Sequence, residues 1–382
     1  MWAEHLDIAP PRAGKFATVR ERPDLLMVFA PNDALQASSV VQEIAEIWPQ
    51  TLVIGCSTGT IIAGEALFDD GFAAVAVGFD HTTLRAAQAE IHEPAASLDA
   101  GVRIGQELAA DGLRYVLVLS DGLAVNGSAL VKGLASTLGP EVVISGGLAA
   151  DGPRFAATSV LAGGQAAANT VSAIGFYGDH LQVGTSSGGG WNEFGPKREI
   201  TRADGNTLFE LDGQPALDLY ERYLGDEAAG LPASGLLYPL MVYAPSAPLG
   251  LVRTILSVDR EARSLTFAGD TPVGWQARLM RGQYRNLVEG AERAAQDALK
   301  SLRRKVPTLD PVLSLMVSCV GRRILLGQRT IGELNAVRDV LGSDGAPLIG
   351  FYSNGEIGPH DDPLGCGLHN QTVTMTLLAE LP

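Results

Sequence analysis

Five polar or reactive residues near the carboxyl terminus could together recognise a small ligand: Cys319, Arg322, Glu356, His369 and Asn370. A guanidinium presents a fork of donors that suits a carboxylate, and a carboxylate in turn suits an ammonium group. We therefore expect an amino-acid-like ligand with its carboxylate on Arg322 and its ammonium on Glu356. The alternative is that Glu356 and His369 only form hydrogen bonds with the local backbone.

The thiol of Cys319 could have a second use. Arg322 follows it by only three positions, and a nearby guanidinium can lower the pKa of a thiol and so favour the reactive thiolate. This spacing is not the Cys-x5-Arg of a phosphatase loop, and a buried, inert cysteine is the alternative. Cys319 with His369 is the one pair that could support an enzyme, and no HExxH signature occurs. We therefore name no catalytic residue and expect that the protein is not an enzyme.

A glycine-rich turn in the first half of the chain, GCSTG, supplies four more candidates for ligand contact: Cys56, Ser57, Thr58 and Gly59. Its backbone N–H groups could cradle an anion. The turn lacks the lysine and the spacing of a P-loop and does not match GxGxxG, so it does not indicate nucleotide binding. The alternative is that its glycines only allow a tight exit from a strand.

Two aspartate-containing turns complete the candidate set. Ser120 and Asp121 belong to an SDG turn, and Asp151 belongs to AADG. An aspartate here could bind the ammonium group of a ligand. It could equally accept hydrogen bonds from the backbone of its own turn, which is the commoner use of aspartate in turns.

The candidates follow short apolar runs that belong to a repeated unit of strand, loop, helix and strand. The two strands start 27 residues apart in the first copy (24 to 51) and also in the second (115 to 142). A third, looser copy has an offset of 35 residues (313 to 348). A loop is predicted over 319–330, and a helix is predicted around 333–341. Such units have parallel strands that finish on the same side, where α/β sheets gather ligands. We predict an α/β fold in which these units form mixed sheets covered by helices.

Two domains of related architecture are predicted, 1–228 and 229–382. The segment 225–235 marks the junction, because it is rich in glycine, alanine and proline. A long amphipathic helix is predicted over 275–305.

Composition limits the partners. The chain has 382 residues and a formal net charge of −15, which disfavours nucleic acid and anionic membranes as partners. No uninterrupted apolar run reaches the roughly 18 residues that would indicate a membrane span. The amino terminus does not read as a secretory signal, so we expect no membrane insertion and a cytoplasmic location. Three scattered cysteines predict neither a disulfide framework nor a zinc site.

The motifs around the candidates resemble the FIST family, named for F-box and intracellular signal transduction. Those that resemble its N-terminal domain are GCSTGTIIAGE (55–65), SDG (120–122) and GGLAADG (146–152). Those that resemble its C-terminal domain are SCVGR (318–322), GFYSNGEIGP (350–359) and HNQTVTMTLL (369–378). The resemblance covers almost the whole chain.

This resemblance implies an intracellular sensor of small ligands, with amino acids or related carboxylates as the expected class. No residues remain for an output domain, so we expect a signalling partner in trans. The alternative implied by some bacterial members is a haem protein that reports nitric oxide to a histidine kinase of a two-component system. Haem would need an axial ligand, and none of the six histidines lies in a CxxCH motif.

Overall fold

The computed structural model describes residues 1–6, 22–37, 40–245, 250–342, 345–360 and 365–382. The strands in chain order are β1 (Trp2–Leu6), β2 (Leu25–Ala30), β3 (Leu52–Ser57), β4 (Ile61–Ala63), β5 (Ala66–Phe68), β6 (Ala73–Gly78), β7 (Thr83–Glu90), β8 (Leu113–Ser120), β9 (Val143–Leu148), β10 (Val160–Ala162), β11 (Gln165–Ala167), β12 (Thr170–Tyr177), β13 (Leu181–Gly188), β14 (Trp191–Asp204), β15 (Thr207–Leu211), β16 (Gln214–Pro215), β17 (Leu240–Tyr243), β18 (Leu251–Arg253), β19 (Ile255–Asp259), β20 (Ser264–Phe267), β21 (Gln276–Gly282), β22 (Leu313–Cys319), β23 (Leu348–Ser353), β24 (Gly355–Pro359), β25 (Cys366–His369) and β26 (Val373–Glu380). The α-helices are α1 (Asn32–Ala37), α2 (Val40–Ile47), α3 (Ser97–Leu108), α4 (Gly127–Leu138), α5 (Ala216–Leu224), α6 (Tyr284–Leu302), α7 (Val320–Leu326) and α8 (Ile331–Leu341).

Three sheets of six strands share one plan. Each is built on a parallel pair: β2 with β3, β8 with β9, and β22 with β23. Two antiparallel strands extend the first member of each pair, namely β6 and β1, β12 and β7, and β26 and β13. The predicted strand–helix–strand unit is therefore confirmed in all three copies, the looser third one included.

The three repeats exchange hairpins in a ring. The hairpin β4–β5 of the first repeat pairs with β23 of the third, and β24–β25 of the third pairs with β9 of the second. The ring closes when β10–β11 of the second repeat pairs with β3 of the first. Each repeat thus completes the sheet of another, and the loops that follow the parallel strands meet at one end of the molecule.

One glycine recurs at the same register in every sheet. Gly55, Gly146 and Gly350 each lie in the second parallel strand, where an added Cβ would come within 2.0, 1.8 and 1.8 Å of a carbonyl oxygen of the first strand. Backbone this close excludes any side chain. The glycine that opens GCSTG therefore has a packing role that the other two repeats share.

The inner faces of the three sheets pack on one another to form a central core. Its members come from all three repeats, for example Met27, Leu117 and Leu315. Outer faces are covered by helices: α3 and α4 on the second sheet, and α6 and α8 on the third. Mixed sheets with helical cover confirm the predicted fold class.

A fourth sheet, of eight strands, lies between the second and third repeats in the sequence. Its order is β18-β17-β21-β14-β15-β20-β19, with β16 on β15, and α5 packs against it around its own core. We call residues 191–282 the insertion. The division at 228/229 lies within it and stays a prediction.

Two predicted elements differ from the structure. The expected helix over 275–305 begins only at Tyr284, because residues 276–282 form the strand β21, which pairs with β14 and β17. The loop predicted over 319–330 contains the helix α7. Among the described residues, no helix combines the length and apolar character needed to cross a membrane.

Candidate functional site

A cleft of about 500 Å³ opens among the loops that follow the parallel strands. Its walls come from residues 58–60 of the first repeat, residues 151–154 of the second, and α7 of the third. We call it the polar cleft, because Asp69, Asp151, Arg154 and Arg323 lie in its walls. Of the sequence-predicted residues, Thr58, Gly59 and Asp151 line it.

Asp151 has one carboxylate oxygen with no hydrogen bond. Its Oδ2 accepts the N–H groups of Ala156 at 2.8 Å and Ala157 at 3.0 Å, and Arg154 Nε lies 3.8 Å away. No group in the described part of the chain donates to Oδ1, although the residue is only 3% exposed. Buried polar atoms nearly always have a partner, and this oxygen, on a residue that lines the cleft, has none among the described residues.

Arg323, on α7, supplies one of the two positive charges in the walls of the cleft. Its Nε donates to Thr60 Oγ1 at 3.2 Å and its Nη1 donates to Gly327 O at 2.8 Å, while Nη2 lies 3.3 Å from Asp69 Oδ2. Sequence reasoning singled out Arg322 and missed its neighbour. The Arg322–Arg323 doublet was the available signal, because consecutive residues of a helix point about 100° apart and only one of them can face the cleft.

Arg322 does not face the polar cleft, which corrects the expectation that it binds a ligand carboxylate. Its side chain is fully buried. Glu333 Oε1 accepts from Nε at 2.7 Å and from Nη2 at 2.5 Å. Three carbonyl oxygens take the remaining donors, those of Gly189 (2.6 Å), Leu287 (2.8 Å) and Gln371 (3.3 Å). All five N–H groups are thus used inside the protein, as a buried guanidinium requires.

Glu356 is also internal, so the expected Arg322–Glu356 clamp on a ligand is not formed. Ser353 Oγ donates to its Oε1 at 2.6 Å, and Thr372 donates to Oε2 through its N–H (3.0 Å) and its hydroxyl (2.8 Å). Burial raises the pKa of Glu356 to about 7, although these hydrogen bonds favour the charged form. The alternative considered above, local hydrogen bonding, describes this residue.

Cys319, His369 and Asn370 lie near Glu356 in the third repeat but not in the polar cleft. Burial, reinforced by the charge of Glu356, raises the pKa of the Cys319 thiol, the reverse of what a thiolate nucleophile needs. Burial lowers the pKa of His369 to about 4, and its Nε2 lies 2.9 Å from Pro359 O. Among the described residues no hydrogen bond joins Cys319 to His369. Asn370 is buried, and its side-chain amide has no partner in the described part of the chain.

Asp121 organises the loop that follows β8. Its Oδ1 accepts the N–H groups of Leu123 and Ala124, both at 2.8 Å. Its Oδ2 accepts from Thr158 Oγ1 at 2.9 Å and from Asn169 N at 3.1 Å. With both oxygens bonded, Asp121 shapes residues 122–126 and does not contact a ligand itself.

Cys56, Ser57 and Ser120 are likewise fully buried. Ser57 Oγ accepts the N–H of Ser159 at 3.1 Å, which fixes the hairpin of the second repeat to the first. Ser120 Oγ donates to the carbonyl of Asp121 at 3.1 Å. Burial raises the pKa of the Cys56 thiol. These three candidates support the cleft and do not line it.

A second space of about 690 Å³, which we call the apolar cavity, adjoins the polar cleft. Its walls include Gly122, Leu123, Val125, Asn126, Pro153 and Phe155 of the second repeat, and residues 255–256 and 266–268 of the insertion. Pro153 and Ile324 belong to both spaces.

Neither space suits haem or a metal ion. A haem iron needs an axial His, Cys, Met or Tyr, and the described walls of the polar cleft and the apolar cavity contain none of these. No group of three His, Cys, Asp or Glu side chains within the described ranges could hold a metal ion.

The chain matches the FIST N domain over residues 24–214 and the FIST C domain over residues 216–359. It is similar to the uncharacterized protein Rv0628c of Mycobacterium tuberculosis, with 27% identity over 280 residues that cover 69% of this chain and 68% of the relative. It is also similar to the uncharacterized protein Mb0898c of Mycobacterium bovis, with 29% identity over 197 residues, or 47% of this chain and 46% of the relative. Among solved structures, cyanuric acid hydrolase from A. caulinodans aligns with a TM-score of 0.35 and 7% identity over 94% of this chain and 90% of that one. Because the two domain models together span most of the sequence, this protein belongs to the FIST family.

Proposed function

We propose that this protein is a sensor that binds a small zwitterion of amino-acid type in the polar cleft and signals to a separate protein. FIST domains are associated with sensing in signal transduction. The observation that carries the proposal is Asp151, which lines the same cleft as Arg323 and whose buried Oδ1 has no donor among the described residues.

The cleft offers complementary charges to the two ends of such a ligand. An ammonium group would donate to Asp151 Oδ1, which otherwise lacks a donor among the described residues. A carboxylate would bind Arg323, whose contact with Asp69 is 3.3 Å long and whose partner is 66% exposed. Exposed ion pairs contribute little free energy, so a ligand carboxylate can replace Asp69 at small cost.

The test is a thermal-shift and calorimetric screen of amino acids and small carboxylates against the wild-type chain and Asp151→Asn. A ligand that binds only the folded state raises the melting temperature. Asn keeps an oxygen for the N–H groups of Ala156 and Ala157 but puts an amide NH₂ where the ammonium would donate. We expect the affinity to fall by about tenfold or more, since a charge-assisted hydrogen bond is lost.

The matched control is Asp179→Asn, which removes a carboxylate that is 79% exposed and pairs with Arg114 outside the cleft. It should bind like the wild type. A screen in which nothing raises the melting temperature would contradict the proposal, and so would wild-type affinity in Asp151→Asn.

The output partner is proposed on family grounds, with a histidine kinase as the first candidate. The prediction is that the ligand found in the screen changes the rate of kinase autophosphorylation only when this protein is present, and that Asp151→Asn weakens the change.

A further inference from the structure

The apolar cavity has a different chemistry from the polar cleft beside it. All of its wall residues lie in the described part of the chain, and none of them is charged. The polar groups are three asparagines and a threonine: Asn126, Asn206, Asn354 and Thr266. The chain has a net charge of −15, yet no charged residue lines this space of about 690 Å³, so the space distinguishes uncharged from charged ligands. An ionic ligand would lose its hydration there without gaining a counter-charge, so the cavity favours an uncharged molecule.

Asn354 gives this cavity one directed polar contact. Its Nδ2 donates to Gly122 O at 3.3 Å, and its backbone N–H donates to Leu148 O. A carbonyl oxygen can only accept, so the amide nitrogen must be the atom that faces Gly122, and this fixes the orientation of the amide. The Oδ1 then has no donor in the part of the chain that the structure describes, although the residue is only 8% exposed. It is a buried acceptor without a partner among the described residues, on a side chain that lines the cavity.

Exposed apolar side chains add to the walls of the cavity. Leu123, Leu256 and Ile324 line it and are 41%, 43% and 39% exposed. They come from the second repeat, the insertion and the third repeat, so one bound molecule would contact all three parts. Clustered exposed side chains of this kind indicate a binding surface.

We propose that the apolar cavity is a second ligand site, which takes an uncharged, largely apolar ring compound with one N–H or O–H donor directed to Asn354 Oδ1. A pocket of this size with apolar walls and few polar groups is the usual form of a small-molecule site. The cavity shares Pro153 and Ile324 with the polar cleft but contains neither Asp151 nor Arg323, so its test and that of the sensor proposal can fail independently.

The probes are indole, benzofuran and indole-3-acetate, titrated against the full chain by ligand-observed NMR. Indole and benzofuran have nearly the same shape, but only indole carries an N–H donor, and indole-3-acetate adds a negative charge. We expect indole to bind about tenfold more tightly than benzofuran, because benzofuran leaves the buried Asn354 acceptor without a donor. Indole-3-acetate should bind more weakly than indole, by at least the same factor.

Two variants locate the binding. Asn354→Leu keeps the approximate shape of the side chain and removes the acceptor, so indole and benzofuran should bind it equally. Leu256→Arg places a cation in the cavity wall and should weaken both neutral probes. Its control is Leu98→Arg, a change at a leucine of α3 that is 39% exposed and is not part of the cavity wall, which should bind like the wild type.

Four results would overturn the proposal: no saturable binding of indole, equal affinities of indole and benzofuran for the wild type, tighter binding of the charged probe, or full binding to Leu256→Arg. The comparison of the two neutral probes within Asn354→Leu does not depend on how stable that variant is.

Discussion

Arg322 and Arg323 are consecutive residues of α7, yet they belong to two regions that use charge in opposite ways. Arg322 lies in a buried network with Glu333, whose Oε2 also accepts from Ser318 Oγ at 2.9 Å and Tyr352 OH at 3.0 Å. Arg323 lies in the polar cleft, where its charged partner Asp69 is mostly exposed and the Oδ1 of Asp151 has no donor among the described residues. A network in which every donor is used supports the fold, whereas vacant or weakly held groups are available to a ligand.

The largest expected effect is on the buried network. Arg322→Ala should lower the free energy of unfolding by about 3–5 kcal/mol, because it leaves Glu333 as an uncompensated buried charge. It also leaves the carbonyl groups of Gly189 and Leu287 without their donor. Urea unfolding followed by circular dichroism measures the loss.

The double variant Arg322→Met/Glu333→Leu distinguishes a charge effect from a packing effect. Replacing both members of a buried pair by apolar residues is often nearly neutral, so the double variant should be more stable than Arg322→Ala. If it is less stable, the carbonyl contacts of Arg322 outweigh its pairing with Glu333.

Glu356 provides the next largest effect, and it depends on pH. The folded-state pKa of about 7 lies above the ordinary value of 4.5, so the folded protein holds this proton more tightly than the unfolded chain. The contribution to stability is fully present below about pH 4.5 and is lost as pH rises through 7, by about 3 kcal/mol in total. Glu356→Gln should remove this slope, because Gln imitates the protonated acid.

The measurement is the difference in unfolding free energy between Glu356→Gln and the wild type at pH 5, 6, 7 and 8, which cancels the titration of all other groups. The difference should grow in favour of the variant as pH rises. The control, Glu107→Gln, changes an exposed carboxylate on α3 and should give a flat difference. A flat difference for Glu356→Gln as well would mean that the carboxylate is charged throughout this range.

The repeated units could be predicted from the sequence because the patterns that indicate them lie within short segments of the chain. Apolar runs, helix breakers and the shared 27-residue offset predicted the first two parallel pairs, and the third followed by analogy. The ring of exchanged hairpins could not be predicted, because pairing such as that of β4 with β23 joins residues nearly 300 positions apart. The polar cleft depends on that ring, since its walls come from all three repeats.

Individual site residues were harder to predict than the fold. Asp151 lines the polar cleft while Asp121 does not, although both stand directly before a glycine in a turn that follows a strand. The oxygens of Asp121 are all used by nearby donors. Likewise positions 322 and 323 are both arginines. They have different surroundings because consecutive residues of α7 point in different directions. Residue type identified the chemistry; burial and hydrogen bonding, which depend on distant parts of the chain, decided which residues were available for it.

The smallest effect on stability is expected for substitution of Arg323. The difference from Arg322, whose substitution should have the largest effect, is the clearest test of the two roles. Arg323→Gln should change the free energy of unfolding by less than about 1 kcal/mol, because its ion pair with Asp69 is exposed. It should nevertheless weaken the ligand found for the polar cleft by about tenfold, as expected for the loss of a charged hydrogen-bond donor. Asp69→Asn separates the two explanations of such a loss. If Arg323 binds the ligand directly, removing its competing partner should leave the affinity unchanged or increase it; if the Arg323–Asp69 pair only shapes the cleft, both variants should bind equally poorly, and the proposed role of Arg323 would be wrong.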